Sequence, residues 1–399
     1  MSKTLLTAAC VAVFALFTTP VTAQIDANRQ TCITDAAPDV NYFPDQITVT
    51  DAENFTVEYA DNYKVVTVTD AFDSAGDFTY VLVQCGTSAP PQEDFPDGTQ
   101  FIEIPVERTI TLTTTVLPHL TAIDELDSIV GVDDFQFINT TAVTERIADG
   151  DIASVGSGAN INVEVVISLE PDVVLTFGFD PSTDAHPVLV DASISTVLTA
   201  GWREATPPGR AEWMKFTALF YNREAEAEAA FADIADAYDE ARQLAASIPE
   251  DERPVVLWNR FSPFTGEWVI PGQETYAARL ITDAGGIVAL GEEAPGNSQP
   301  FSLEVVFDQA FDADIWVVNA FGVNTQAELL GQDERFADFE AFTRGDVWNN
   351  NADVNENGGN NYFELGVTNP DIILRDLVAL FHPELLPDHE FVFYKTLEP

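Results

Sequence analysis

The sequence predicts an α/β fold with two Rossmann-like lobes joined by one long α-helix, preceded by a β-rich N-terminal extension. Three observations support this prediction. Segments 159–178 and 301–322 each contain a polar capping residue, a glutamate, an amphipathic helix, an acidic turn and a buried strand. From residue 104 onward, strands alternate with helices, which is typical of a parallel sheet. Between the two halves lies a helical stretch that is rich in alanine and glutamate.

Residues 1–23 are predicted to be a cleaved signal peptide. A short basic start precedes an apolar run, and Val21-Thr22-Ala23 is a small-residue cleavage pattern. The apolar run is too short to predict a transmembrane helix. Lipidation at Cys10 is the alternative, but it would leave almost no apolar segment ahead of that cysteine. The sequence therefore predicts an exported protein.

Residues 24–106 are predicted to form a small antiparallel β extension. Short runs with period two, separated by Asp, Asn and Gly turns, predict its strands at 46–50, 55–59, 63–69 and 78–84. Removal of the leader leaves two cysteines, Cys32 and Cys85. Two cysteines in an exported chain most simply form one disulfide, and two free buried thiols are the alternative. The function of the extension is not legible from the sequence.

The remaining chain is predicted to divide into an N-terminal lobe at 107–221, a connecting helix at 222–250 and a C-terminal lobe at 251–399. Strands are predicted at 109–116, 128–132, 172–177 and 193–198 in the first lobe, and at 254–259, 314–319 and 391–394 in the second. Apolar residues recur at helical spacing from Phe231 to Leu244. A helix of this length spans roughly 35 Å, about the width of a domain. It would make a stiff connector, or an ordinary surface helix of one lobe.

Charge excludes some functions. The mature chain carries 66 acidic and 16 basic residues, since Lys3 is lost with the leader, and its net charge is therefore 16 − 66 = −50. Such a surface repels nucleic acid and anionic lipid. The chain is nevertheless 46% apolar, which excludes a disordered acidic tail.

From about residue 109 onward the chain resembles the single-helix-linked periplasmic binding proteins of ABC importers for vitamin B12, ferric siderophores and haem. The resemblance lies in four segments that occur in the same order, 111–135, 155–177, 255–286 and 363–385. It implies a monomeric periplasmic protein that is not an enzyme, has no cofactor, and captures a ligand between its lobes. The ligand it implies first is a ferric siderophore or a related iron chelate, with vitamin B12 or haem as the alternative.

The resemblance also implies a partner, the permease dimer of an ABC transporter at the inner membrane. In proteins of this kind, a glutamate near the tip of each lobe docks onto arginines of the two membrane subunits. The matching residues are Glu164 and Glu304, one in each repeated segment. A carboxylate in a first helical turn can accept a bidentate arginine. Simple helix capping is the alternative role for either glutamate.

Ligand-binding residues are expected on loops after the carboxyl ends of the strands, where open α/β sheets bind ligands. Aromatic side chains there would stack on a bulky chelate, and arginines would pair with its anionic groups. The candidates by this rule are Phe135, Phe177, Trp202, Arg203, Trp258, Arg260, Phe321 and Tyr362.

Two other patterns, an acidic loop near the C-terminus and the four histidines, bear on metal binding and catalysis. The loop from Asp353 to Glu364 satisfies the EF-hand calcium pattern on paper, although Gly366 and Pro370 deny it an exit helix. This loop leaves a second class of function open, that of a calcium-dependent surface interaction protein. The four histidines are scattered, so neither a metal site nor a catalytic relay can be assembled from their spacing. His119 could line the cleft or lie at the surface.

Overall fold

The computed structural model describes residues 27–37, 40–72, 76–262 and 265–399. The predicted signal peptide and Cys10 lie outside these ranges. No helix within them is both long and apolar enough to cross a bilayer.

The N-terminal extension forms a four-stranded sheet in the order β1-β2-β3-β4. Its strands are β1 Phe55–Tyr59, β2 Tyr63–Val68, β3 Phe78–Gln84 and β4 Gln100–Ile104. The first three are antiparallel, as predicted, whereas β4 runs parallel to β3. The predicted disulfide between Cys32 and Cys85 is confirmed, and it ties the segment before β1 to the residue after β3.

The prediction of a strand at 46–50 is wrong, because N–H groups within this segment and just after it bond to side chains instead of to a neighbouring strand. The amides of Thr50, Asp51 and Ala52 donate to the buried carboxylate of Glu212 at 2.7–3.1 Å. A carboxylate that accepts several backbone N–H groups replaces the partner strand that this segment would otherwise need.

The first lobe is a five-stranded parallel sheet in the order β7-β6-β5-β8-β9, with helices between its strands. Its strands are β5 Thr109–Thr111, β6 Ile129–Val132, β7 Ala153–Ser154, β8 Val173–Phe177 and β9 Thr196–Thr199. Its helices are α1 Val116–Ala122, α2 Thr141–Asp149, α3 Val163–Ser168, α4 Ala185–Asp191 and α5 Pro207–Ala218.

One long helix, α6 Glu224–Ala246, follows the first lobe and packs on both lobes. It has 23 residues, which corresponds to about 35 Å. Its first half contributes Ala227 and Phe231 to hydrophobic clusters of the first lobe. Its second half contributes Tyr238 and Ala245 to a cluster of the second lobe. Because both ends are buried against different cores, the helix resists a wide hinge motion.

The second lobe is built on a sheet in the order β13-β10-β15-β16-β17, parallel except for its last strand. Strands β11, β12 and β14 form a separate antiparallel sheet. The strands are β10 Val255–Trp258, β11 Phe261–Ser262, β12 Glu267–Ile270, β13 Ile287–Val288, β14 Gln299–Phe301, β15 Ile315–Val317, β16 Val347–Asn349 and β17 Lys395–Thr396. The helices are α7 Tyr276–Asp283, α8 Leu303–Ala310, α9 Gln326–Leu330, α10 Glu340–Arg344 and α11 Pro370–Phe381.

The strand predicted at 391–394 is wrong as well. The amides of Val392, Phe393 and Tyr394 all donate to the carboxylate of Asp376, so they form no ladder, and β17 begins only at Lys395.

The two lobes share the strand order around the central strand of each sheet. Strand β5 lies between β6 and β8, and β10 lies between β13 and β15, so the central strand has equivalent neighbours in each sheet. An aspartate before the neighbouring strand also ties down the chain in both lobes. Asp172 accepts the N–H groups of Glu107 and Arg108 just before β5, and Asp314 accepts the N–H of Val255 in β10. The two predicted parallel sheets are confirmed.

Candidate interlobe ligand site

A cleft lies between the lobes, at the carboxyl ends of the first lobe's strands. One cavity of about 320 Å³ is bordered by the ends of β5, β8 and β9, by α1 and α5, and by two residues of the second lobe. Its lining residues are Thr113, Thr115, Val116, His119, Phe177, Phe179, Thr199, Gly201, Trp202, Arg210, Trp213, Val367 and Thr368. Sheets of this kind bind ligands at this edge.

A second cavity of about 330 Å³ continues the cleft, because it shares Thr113 and Phe177 with the first. Its other lining residues are Leu112, Thr114, Asp133, Phe137, Phe321, Asn360 and Phe363. Together the two cavities have the size and the apolar character of a small-molecule site.

Exposed aromatic rings are concentrated at this cleft. Phe179 is 68% exposed and Phe321 is 65% exposed, values that are unusual for large apolar side chains in a folded protein. Phe137, Phe177 and Trp202 are also exposed to more than a third and line the same two cavities. An exposed apolar patch of this kind marks a binding surface.

The structure brings three of the predicted ligand residues to the cleft, namely Phe177, Trp202 and Phe321. Phe135 is exposed two residues before Phe137, but it lines neither cavity. That any of these residues binds the ligand stays a prediction.

Trp258 and Tyr362 do not reach the cleft, since each is only 4% exposed. The carbonyl of Trp258 accepts the indole N–H of Trp268 at 2.7 Å, inside the second lobe. Tyr362 packs edge-on against Phe393 and Tyr394. Both residues support the cleft from the core, and we remove them from the set of ligand contacts.

Neither predicted arginine lines the cleft cavities. Arg203 makes a two-fold hydrogen-bonded ion pair with Asp70 of the extension, at 2.8 and 3.1 Å. Arg260 donates to the side chain of Gln332 at 3.1 Å. The expectation that these two arginines form a matched pair for an anionic chelate therefore finds no support in their positions.

Two other basic side chains lie at the cleft floor. His119 is buried on α1, and its Nδ1 lies 3.0 Å from the hydroxyl of Thr217. Burial lowers the pKa of His119 to about 3, so this imidazole is neutral at physiological pH. Arg210, in the first turns of α5, is the residue that sequence reasoning missed. It lies outside the repeated segments and the predicted cleft loops, so neither of those signals included it.

The loop from Asp353 to Glu364 joins the lobes. Glu364 accepts the N–H groups of Asn139 and Thr140 at 2.8 and 2.7 Å, and the hydroxyl of Thr140 at 2.6 Å. The amide nitrogen of Asn355 donates to two carbonyls of the first lobe, and its oxygen accepts N–H groups within its own loop.

Three of the side chains that an EF-hand would offer to calcium are thus already hydrogen-bonded, the oxygens of Glu364 to the first lobe and those of Asp353 and Asn355 within the loop. Across the described part of the chain, no group of three or more His, Cys, Asp or Glu side chains is arranged to hold a metal ion.

The two predicted docking glutamates occupy equivalent places. Glu164 and Glu304 each lie exposed in the first turn of the helix that leads into β8 or β15, and Asn162 or Ser302 caps that helix. They differ in their surroundings, because Glu304 pairs with Arg335 at 3.2 Å, beside a small cavity.

Two α/β lobes with the same central strand order, a helix buried against both, and an aromatic cleft between them define a bilobal ligand-binding protein. A family model described as periplasmic binding protein matches residues 110–352, which is more than half of the chain. The chain belongs to the periplasmic binding protein family, and it is a binding protein, not an enzyme.

Individual relatives are more distant. An uncharacterised lipoprotein of Methanocaldococcus jannaschii is 25% identical over 315 residues, covering 76% of this chain and 72% of that protein. A cobalamin-binding protein of Halobacterium salinarum is 25% identical over 227 residues, covering 56% of this chain and 57% of that protein. The crystal structure of a periplasmic haem-binding protein from Pseudomonas aeruginosa matches with a TM-score of 0.53 and 18% identity, covering 74% of this chain and 99% of that one. At 18% identity this structural likeness supports the fold alone.

Proposed function

We propose that this protein is the substrate-binding component of an ABC importer and that it captures a tetrapyrrole metal complex, a corrinoid or a haem, in the interlobe cleft. The observation that carries the proposal is the aromatic lining of two connected cavities, with Phe177 in both. Large conjugated rings gain from offset or edge-on stacking on such side chains, in addition to the area they bury.

The polar groups of the cleft fit the same class of ligand. Thr113, Thr115, Thr199 and the neutral imidazole of His119 line the first cavity among apolar side chains, and the hydroxyls of Thr113 and Thr115 lie 2.9 Å apart. A few placed polar groups on an apolar wall orient a large, mostly apolar ligand. The similarity to a cobalamin-binding protein of Halobacterium salinarum supports a corrinoid over other members of the class.

A ferric siderophore is the second candidate, and the positions of the arginines weaken it. Chelates that carry several negative charges face the strongest long-range repulsion from a chain of net charge −49. The pair that would have offset this repulsion, Arg203 and Arg260, bonds to Asp70 and Gln332. One arginine remains in the cleft lining, Arg210.

The ligand class can be tested by titration, because Trp202 lies at the cleft and is 39% exposed. We expect cyanocobalamin or haemin to quench tryptophan fluorescence saturably, with dissociation constants in the micromolar range or below. Ferric siderophores, both anionic catecholates and neutral hydroxamates, should leave it unchanged. Trp202→Phe is the matched control and should lose most of the signal while retaining binding by calorimetry. Saturable quenching by ferric hydroxamates alone would establish the second candidate instead.

Delivery requires that the protein remain outside the inner membrane, either free or tethered. We propose export with cleavage before Gln24, and the lipoproteins among the relatives make a lipid at Cys10 the competing arrangement. The mass of the mature protein distinguishes the two: we expect a chain that begins at Gln24 and appears in the soluble fraction. A chain that begins at a diacylated Cys10 would contradict the cleavage prediction and leave the ligand class unaffected.

A further inference from the structure

We propose that Arg210 forms an anion-binding subsite at the floor of the cleft, and that the ligand is therefore a metal complex carrying a carboxylate or phosphate on an otherwise apolar body. This inference rests on the proposed function and adds to it the charged group by which the ligand is oriented. Nothing in the repeated segments or the predicted cleft loops pointed to this residue.

The protein engages only some of the hydrogen-bond donors of the Arg210 guanidinium, and the others face the cavity. Its Nε donates to the carbonyl of Glu204 at 3.1 Å. One face of its guanidinium lies 3.8 Å from the ring centre of Tyr276, in the second lobe. Its two terminal nitrogens make no hydrogen bond with any residue in the described ranges, and the side chain lines the first of the two aromatic cavities, the one of about 320 Å³.

No carboxylate neutralises Arg210. Among the described residues it makes no ion pair within 4 Å, and the nearby carboxylate of Glu204 is directed to other donors. That carboxylate accepts the N–H groups of Glu53 and Asn54 and the indole N–H of Trp213, at 2.9–3.1 Å. Burial lowers the pKa of Arg210 from its ordinary value, which reflects the loss of hydration by its cation.

An unpaired cation at the base of an apolar cavity costs free energy, and stacking on one tyrosine offsets only part of that cost. The chain has 66 acidic and 17 basic residues, so carboxylates are abundant, and yet none of the described ones pairs with Arg210. Among the residues that line this cavity, Arg210 carries the one charge, since His119 is neutral. A ligand anion with two oxygens matches the two free guanidinium nitrogens.

A purely structural role for Arg210 would be to join α5 to α7 through the stack on Tyr276. Stacking uses one face of the guanidinium and needs neither terminal nitrogen. Arg210 can therefore stack on Tyr276 and bind an anion at the same time. Of the two roles, only the anion subsite makes the affinity for the ligand depend on the ligand's charge.

The test compares each metal complex with its counterpart that lacks the anion, in the unmodified protein and in Arg210→Gln. The pairs are haemin with haemin dimethyl ester, and cyanocobalamin with dicyanocobinamide, which lacks the nucleotide phosphate. We expect the unmodified protein to bind the anionic member of one pair about 10- to 100-fold more tightly. In Arg210→Gln this preference should fall to about two-fold or less. The pair that shows the preference identifies carboxylate or phosphate as the anion.

Arg242→Gln is the matched control, because Arg242 is an exposed arginine of α6 that pairs with Asp239. It should leave both affinities and the preference unchanged. Since the comparison between ligands in the unmodified protein needs no mutation, a poorly folded Arg210→Gln cannot hide the result. Equal affinity for both members of each pair overturns the subsite, whereas no binding of any probe overturns the proposed function.

Discussion

Lys64→Met is expected to lower the free energy of unfolding by about 3–5 kcal/mol, the largest stability effect that we predict for a single substitution. Lys64 in β2 forms an ion pair with Glu224 at the start of α6, and both side chains are completely buried. Its ammonium also donates to the carbonyl of Leu219 and to the side chain of Asn222, at 2.7 and 2.8 Å. Removal of the lysine leaves the carboxylate of Glu224 buried without its counter-charge.

Urea unfolding followed by circular dichroism measures the effect. The double variant Lys64→Met with Glu224→Gln should recover a substantial part of the loss, because it removes the uncompensated charge. The exposed pair of Arg242 and Asp239 is the matched control, and Arg242→Gln should cost less than about 1 kcal/mol. If Lys64→Met lowers the free energy of unfolding by no more than the Arg242→Gln control does, the buried pair of Lys64 and Glu224 is not needed to hold the extension on the first lobe.

The same interface shows what the sequence could predict and what it could not. The two parallel sheets and the long helix follow from hydrophobic periodicity, which is a local property of each segment. The repeated pattern around Glu164 and Glu304 is also local, and it correctly placed equivalent helices before β8 and β15.

Buried carboxylates were invisible to this reasoning. Glu212, Glu364 and Asp376 each accept two or more backbone N–H groups from distant segments. In a sequence with 66 acidic residues, nothing marks these as different from the solvated ones. Two predicted strands were wrong for this reason, since their N–H groups bond to side chains and not to a neighbouring strand.

The residues that line the cleft could be predicted only in part, because some depend on local sequence and others on distant partners. The position of a strand end is local, so Phe177 and Trp202 could be nominated from their place after β8 and β9. Whether an arginine is free depends on a partner elsewhere in the chain. Arg203 is held by Asp70, more than a hundred residues away, and Arg210 is left without such a partner among the described residues.

Charge reversal at the two exposed glutamates, Glu164→Lys with Glu304→Lys, is expected to reduce ligand uptake by cells more than ten-fold. It should leave the affinity of the purified protein for its ligand unchanged. Both side chains are exposed in first helical turns, outside the residues that line the cleft. If they bind arginines of a two-fold permease, as we propose, a lysine at each place replaces attraction with like-charge repulsion.

Uptake is measured in a deletion strain complemented with each variant, and affinity is measured by fluorescence titration of the purified protein. Glu340→Lys is the matched control, since Glu340 also lies exposed in the first turn of a helix of the second lobe, where it pairs with Arg344. It should support uptake at the level of the unmodified protein. Normal uptake by the double variant would contradict the docking assignment, whatever the ligand is.

The two glutamates are not equally available to a partner in the free protein. Glu304 is paired with Arg335, which is itself held by Asp333 at 2.7 Å, whereas Glu164 makes no ion pair with any residue in the described ranges. If Glu304 docks as we propose, a permease arginine has to displace Arg335 first. Arg335→Ala should therefore increase uptake at limiting protein, by no more than about five-fold, because an exposed ion pair contributes less than about 1 kcal/mol.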